Sequence, residues 1–143
     1  MGQQKPNEYL KVKIQTAKPT ELLLLLFDGA LRFTAQAKRH MEARELDRKN
    51  ELFLRAQAII LELIQALDPK IGDELYRKLI ELYRFCYDRL LRANLEDDPR
   101  AADEATKILE HLRETWQLAV DKFQEEGGTP LPARDRHALC LEG

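Results

Sequence analysis

Asp-Pro occurs twice in this chain, at Asp68-Pro69 and Asp98-Pro99, and both pairs stand between long stretches whose apolar residues recur at helical spacing. A carboxylate can accept from the orphan N–H groups of a first helical turn, and proline fits that turn because it has no N–H to lose. Each Asp-Pro therefore marks a helix start, and Asp47 is placed to cap another. The spacing predicts helices over 19–43, 47–67, 69–94 and 99–125, all rich in Leu, Ala, Glu, Lys and Arg. No strand pattern competes with them after Ile14. Short connections between long helices favour antiparallel neighbours, so the expected fold is all-α, an antiparallel up-down four-helix bundle.

Two segments fall outside that bundle, which spans 19–126. Residues 1–18 carry Tyr9, Leu10, Val12 and Ile14 interleaved with Lys11 and Lys13, an apolar edge suited to docking as a capping arm. Residues 127–143 open with Gly127-Gly128 and contain Pro130 and Pro132, which reads as a mobile tail.

A hydrophobic fraction of 44% beside 34% charge is enough to build a core without disulfides or metals. The net charge of −2 and the absence of a basic run argue against nucleic acid as a partner. The longest apolar run, Leu22 to Phe27, is far below the roughly 20 residues of a membrane span, and no signal-peptide pattern opens the chain. Cys86 and Cys140 have no metal-clip or disulfide spacing. A cytoplasmic, reducing location is the expectation.

Helical faces carry the functional information. Placing residues about 100° apart, the fourth helix shows one apolar stripe of roughly 120° through Ala105, Leu109, Leu112, Trp116 and Phe123. The first helix differs, because Leu22 to Leu26 are consecutive and point all round the axis. Leu22, Leu26, Ala30, Phe33 and Ala37 suit the core, whereas Leu24, Phe27 and Leu31 widen the arc to roughly 200°. Leu54 and Leu61 lie one heptad apart on the back of the second helix. Tyr76, Ile80, Tyr87 and Leu91 flank a main stripe on the third, formed by Leu75, Leu79, Leu82, Tyr83, Cys86 and Leu90. Apolar surplus on three helices implies a covering arm, self-association, or a partner helix laid in a groove.

Catalytic patterns are missing. The chain has no serine, no phosphate-binding glycine loop, and no Glu three positions before His40, His111 or His137, as a di-metal bundle requires. Cys86, on a core stripe, reads as an inert small hydrophobe. No metal, no cofactor and no enzymatic activity are expected. Asp28-Gly29 is the oddity, since glycine inside a helix costs about 1 kcal/mol relative to alanine; close helix contact or a kink explains it.

Thr16-Ala17-Lys18-Pro19, Glu21-Leu22 and Phe27-Asp28-Gly29-Ala30 resemble the opening of FliS, the flagellar secretion chaperone family. Ala56, Gln57, Ile59, Ile60, Glu62 and Leu63 are similar to its second helix, and Leu82-Tyr83, Arg89-Leu90 and Ala93-Asn94 to its third. Leu112-Arg113-Glu114-Thr115-Trp116 resembles its ending. The resemblance implies a bundle that binds the C-terminal segment of flagellin in the cytoplasm, blocks its polymerisation, and passes it to the export gate. It also implies that Tyr9 and its neighbours cover part of the client surface. Lys18 stands where the family has a capping Ser, Phe27 where Tyr is usual, and Cys86 where a larger apolar residue is common. The lost cap weakens the start of the first helix by about 1 kcal/mol. The competing reading is a helical bundle that dimerises or binds a different regulator through the same faces.

Overall fold

The computed structural model describes residues 19–125, and the calls on the arm and the tail, including Tyr9, Leu10, Val12 and Ile14, lie outside them. Four helices follow one another: α1 (Pro19–Glu42), α2 (Leu46–Ala66), α3 (Asp73–Glu96) and α4 (Pro99–Glu125). No strand occurs among the described residues. α1 packs on α2 and α4, and α3 packs on the same two, so α1 and α3 face each other across the core of an all-α four-helix bundle.

The helix ends depart from expectation in two places. Asp68 does accept from the Lys70 backbone N–H at 2.9 Å, yet what it caps is a single 3₁₀ turn, Pro69–Ile71. Gly72, at φ 115°, breaks that turn from α3, which starts at Asp73. Asp47 does not cap α2. It lies within the first turn, where its charge suits the helix dipole, while Glu45 holds the N-cap position with no capping bond from its side chain, which meets His40 Nδ1 at 2.7 Å instead. Asp98 behaves as read, accepting from the Arg100 N–H at 3.0 Å.

Two reversals use left-handed residues other than glycine, Arg44 at φ 63° and Asp97 at φ 51°. After α1, the Glu45 N–H reaches the His40 carbonyl at 2.9 Å and the Arg44 N–H reaches Met41 at 3.1 Å, which is a Schellman closure. After α3, the Asp98 N–H bonds Ala93 at 3.1 Å. That second closure is reinforced from α2. Lys49, buried in spite of its charge, donates to the Asn94 carbonyl at 2.8 Å and to Asp97 Oδ1 at 2.6 Å. A cation at a helix C-terminus satisfies both the dipole and the orphan carbonyls.

The core centres on Tyr83 and Phe27, whose rings lie 6.2 Å apart at 46°. Phe27 is 0% exposed, which removes it from the surplus surface. The reason is geometric: α1 touches α2 on one side and α4 on the other, so its buried arc is broad enough to include Phe27 as well as Leu23. Burial pushes the Tyr83 phenol up to about 12, opposed by a hydrogen bond with Trp116. Cys86 is likewise pushed up to about 12 by burial, and its Sγ approaches the Ala105 carbonyl at 3.9 Å. Gly29 fits the close-contact explanation, because a Cβ there would meet Ile59 Cδ1 at 3.0 Å.

Lys49→Met should keep the helical spectrum and lower unfolding free energy by about 1–3 kcal/mol in urea titration, since the Asn94 carbonyl and Asp97 lose their shared donor. An unchanged midpoint would refute this role. In a Cys140→Ala background, Cys86 should resist alkylation at pH 8 until the bundle unfolds, because its raised pKa keeps the thiol protonated and the core keeps reagent out.

Candidate partner-binding surface

Helical geometry sorts the surplus residues onto different sides of the bundle. On α2, positions 50, 54, 57, 61 and 64 follow the i, i+4, i+7, i+11 spacing of one stripe. On α3, positions 76, 80, 87, 91 and 94 form the matching stripe. Asn94 Nδ2 donates to Asn50 Oδ1 at 2.8 Å, so these two stripes flank the same α2–α3 seam. Leu54, 51% exposed, and Leu61, 45% exposed, therefore share one groove with Tyr76, Ile80, Tyr87 and Leu91. Tyr76, Ile80 and Tyr87 are half-buried against the core, and Leu91 is exposed.

Leu24 and Leu31 lie elsewhere. Both are half-buried on the α4-facing side of α1, the side on which Lys38 meets Asp103 at 2.7 Å and Asp28 meets Arg113 at 2.5 Å. The α1–α4 seam is across the bundle from α2–α3, so no single partner helix covers both. The surplus residues thus lie on two faces, a groove on α2–α3 and a separate face on α1–α4, and Phe27, expected in the groove, is buried in neither face but in the core.

The third helix also needs a correction. Leu75 is 49% exposed and Leu82 is exposed too, although both were expected in its main stripe. The buried stripe runs through Leu79, Tyr83, Cys86, Leu90, Ala93 and Asn94, and it is rotated toward the Tyr76 side. Leu75, Leu82 and Phe85 are left beside α4 as a second apolar edge, with Arg89 stacked over the Phe85 ring at 5.4 Å. Leu118, on the fourth helix and outside its expected stripe, is exposed as well, while Val120, also outside it, is buried.

Gln57 is the residue that periodicity missed. It is 3% exposed, sits between Leu54 and Leu61 on the seam stripe, and its Oε1 has no partner among the described residues. A buried amide oxygen left unpaired costs about 1–3 kcal/mol. The signal was present as a lone polar residue inside an apolar stripe. Glu62, also on α2, has one buried unpartnered oxygen, and burial raises its pKa.

The surface offers apolar contact and hydrogen bonding and little else. Among the described residues no three His, Cys, Asp or Glu side chains gather as metal ligands, and no described helix is long and apolar enough to cross a membrane.

The blocks that suggested a family meet in space. Asp28 of the Asp28-Gly29-Ala30 block binds Arg113 of the Leu112-to-Trp116 block with two hydrogen bonds, 2.5 and 3.3 Å. Gly29 abuts Ile59 of the α2 block, and Asn94 joins the α3 block to Asn50. The family model described as flagellar protein FliS matches residues 1–122. The flagellar secretion chaperone FliS of Bacillus subtilis (strain 168) is 32% identical over 118 residues, covering 82% of this chain and 87% of the relative. The protein of that name from Salmonella typhimurium is 35% identical over 115 residues, 78% of this chain and 85% of the relative. FliSB of Pseudomonas aeruginosa, also a flagellar secretion chaperone, is 34% identical over 107 residues, 75% and 85% of the two chains. With a matching family model across most of its length and relatives that carry the same chaperone name, this chain belongs to the FliS family of flagellar secretion chaperones.

Proposed function

We propose that this chain binds the C-terminal segment of flagellin in the cytoplasm, holds it apart from other flagellin molecules, and keeps it competent for handover to the export gate. The observation that carries this reading is the α2–α3 seam. Exposed Leu54, Leu61 and Leu91 line it beside half-buried Tyr76, Ile80 and Tyr87, and the unpaired Gln57 oxygen lies beneath. An amphipathic client helix presents apolar side chains at i, i+3, i+4 and i+7, which suits a leucine-lined groove of this kind. The tyrosines suit a surface that is wet before binding, since the ring is apolar and the hydroxyl accepts water. Tyr9, Leu10, Val12 and Ile14 supply a cover of matching chemistry, so we assign residues 1–17 as a competitor that the client displaces.

Calorimetry with a flagellin C-terminal peptide should give about 1:1 binding at micromolar concentration with a negative heat-capacity change, the signature of apolar burial. No heat, or a stable dimer in light scattering that the peptide leaves intact, would defeat the proposal. Leu61→Glu should weaken the peptide by about tenfold or more with unchanged helicity, since it places a charge in the seam while unfolding nothing. Leu31→Glu, across the bundle, should leave the affinity within about threefold. Deleting residues 1–17 should raise both affinity and hydrophobic-dye binding; equal affinity would make the arm a tether.

A further inference from the structure

The α1–α4 face has its own groove, which the flagellin reading does not use. Its volume is about 290 Å³, with Leu31 on α1 and Glu110, Arg113, Glu114, Gln117 and Leu118 on α4. Leu118 is 63% exposed and marks one end, and half-buried Leu31 marks the other, level with Glu110. Glu110 and Glu114 are exposed and meet no cation among the described residues, whereas the charge of Arg113 is held by Asp28. An apolar end followed by two unmatched carboxylates calls for an extended ligand with a leucine followed by cations.

The chain itself carries that sequence directly after α4, beyond the family match that stops at residue 122. It reads Gly127-Gly128-Thr129-Pro130-Leu131-Pro132-Ala133-Arg134-Asp135-Arg136. Paired glycines permit a reversal, and the two prolines bias Leu131 toward an extended conformation, which lowers the entropy lost on docking. The distances agree. From Glu125 back to Leu118, Glu114 and Glu110 the helix rises about 10, 16 and 22 Å at 1.5 Å per residue. From Gly128 forward, an extended chain at 3.1 Å per residue travels about 9 Å to Leu131, 19 Å to Arg134 and 25 Å to Arg136. Leu131 falls level with Leu118, and the two arginines fall level with Glu114 and Glu110, within the reach of their side chains.

We propose that residues 129–136 fold back antiparallel along α4 and occupy the α1–α4 groove. Leu131 covers Leu118, and Arg134 and Arg136, on long side chains, pair with Glu114 and Glu110. The segment shields an apolar face that the other described elements leave open, and it does so independently of the flagellin site on the opposite side.

Disulfide trapping in the full chain tests this. In a Cys140→Ala background, Leu118→Cys with Leu131→Cys should close within one molecule about tenfold faster than Thr115→Cys with Leu131→Cys, where position 115 is exposed about 60° farther round α4 and about 4.5 Å nearer its start. Adding Glu110→Lys and Glu114→Lys should remove that advantage, and adding Arg134→Glu with Arg136→Glu should restore it. All substituted α4 positions are exposed, so helicity should be unchanged in each variant. Equal rates for the two pairs, a bond that forms only between molecules, or trapping indifferent to the charge reversals would overturn the proposal. None of these readouts involves flagellin, so failure here leaves the client reading untouched.

Discussion

The packing of α1 against α2, with the Ile59 side chain set against the α1 backbone at Gly29, is the contact beside which the other helices are arranged. A Cβ at that position would lie 3.0 Å from Ile59 Cδ1, so an added methyl would require the end of that side chain to give by a few tenths of an ångström; Gly29 and Ile59 mark the side of α1 that faces α2. Once that side faces α2, Phe27 turns inward onto Tyr83, and Leu24 and Leu31 turn toward α4. Asp28, one residue before the glycine, reaches Arg113. A surface ion pair of this exposure contributes under about 1 kcal/mol, so its value is in the orientation of α1 against α4. Arg32 and Arg55 converge on the Phe33 ring at 5.2 and 5.7 Å along the same α1–α2 seam.

The opposite corner is held by Lys49. Its ammonium group closes the C-terminus of α3 from α2, and the Asn50–Asn94 hydrogen bond beside it fixes the relative register of the two helices. These polar contacts lie at one end of the α2–α3 seam. Farther along, the seam has Leu54 and Leu61 at its rim and the unpaired Gln57 oxygen in its floor. Polar contacts fix one end of the seam, and one unpaired amide oxygen lies along the apolar remainder. A pre-organised groove loses less entropy on binding than one that must order its walls.

The α2–α3 seam and the α1–α4 groove, on opposite sides of the bundle, also differ in chemistry. The first is apolar with aromatic flanks, and the second has a leucine at each end with carboxylates between. A ligand matched to one would leave the other's requirements unmet. The bundle thus presents two chemically distinct faces although its four helices have similar composition.

Much of the fold was legible from residue spacing. Asp98-Pro99 started α4, Cys86 and Leu90 belonged to the core, and the blocks around Asp28, Asn94 and Trp116 pointed to the family, because local hydrogen bonding and helical period act over a few residues. Gly72 already hid a limit, since its positive φ separated a 3₁₀ turn from α3 where the apolar pattern ran on unbroken. What spacing could not decide was rotation: a helical wheel gives the angles between residues and leaves open which arc meets a neighbour. Phe27, Leu75 and Leu82 were misplaced for that reason, and spacing alone left open that Leu31 and Leu61 lie on opposite sides. The sequence by itself determined the helices and their amphipathic stripes. Only the tertiary structure decided which stripes meet, because that choice depends on contacts such as Gly29–Ile59, Asp28–Arg113 and Lys49–Asp97 between residues distant along the chain.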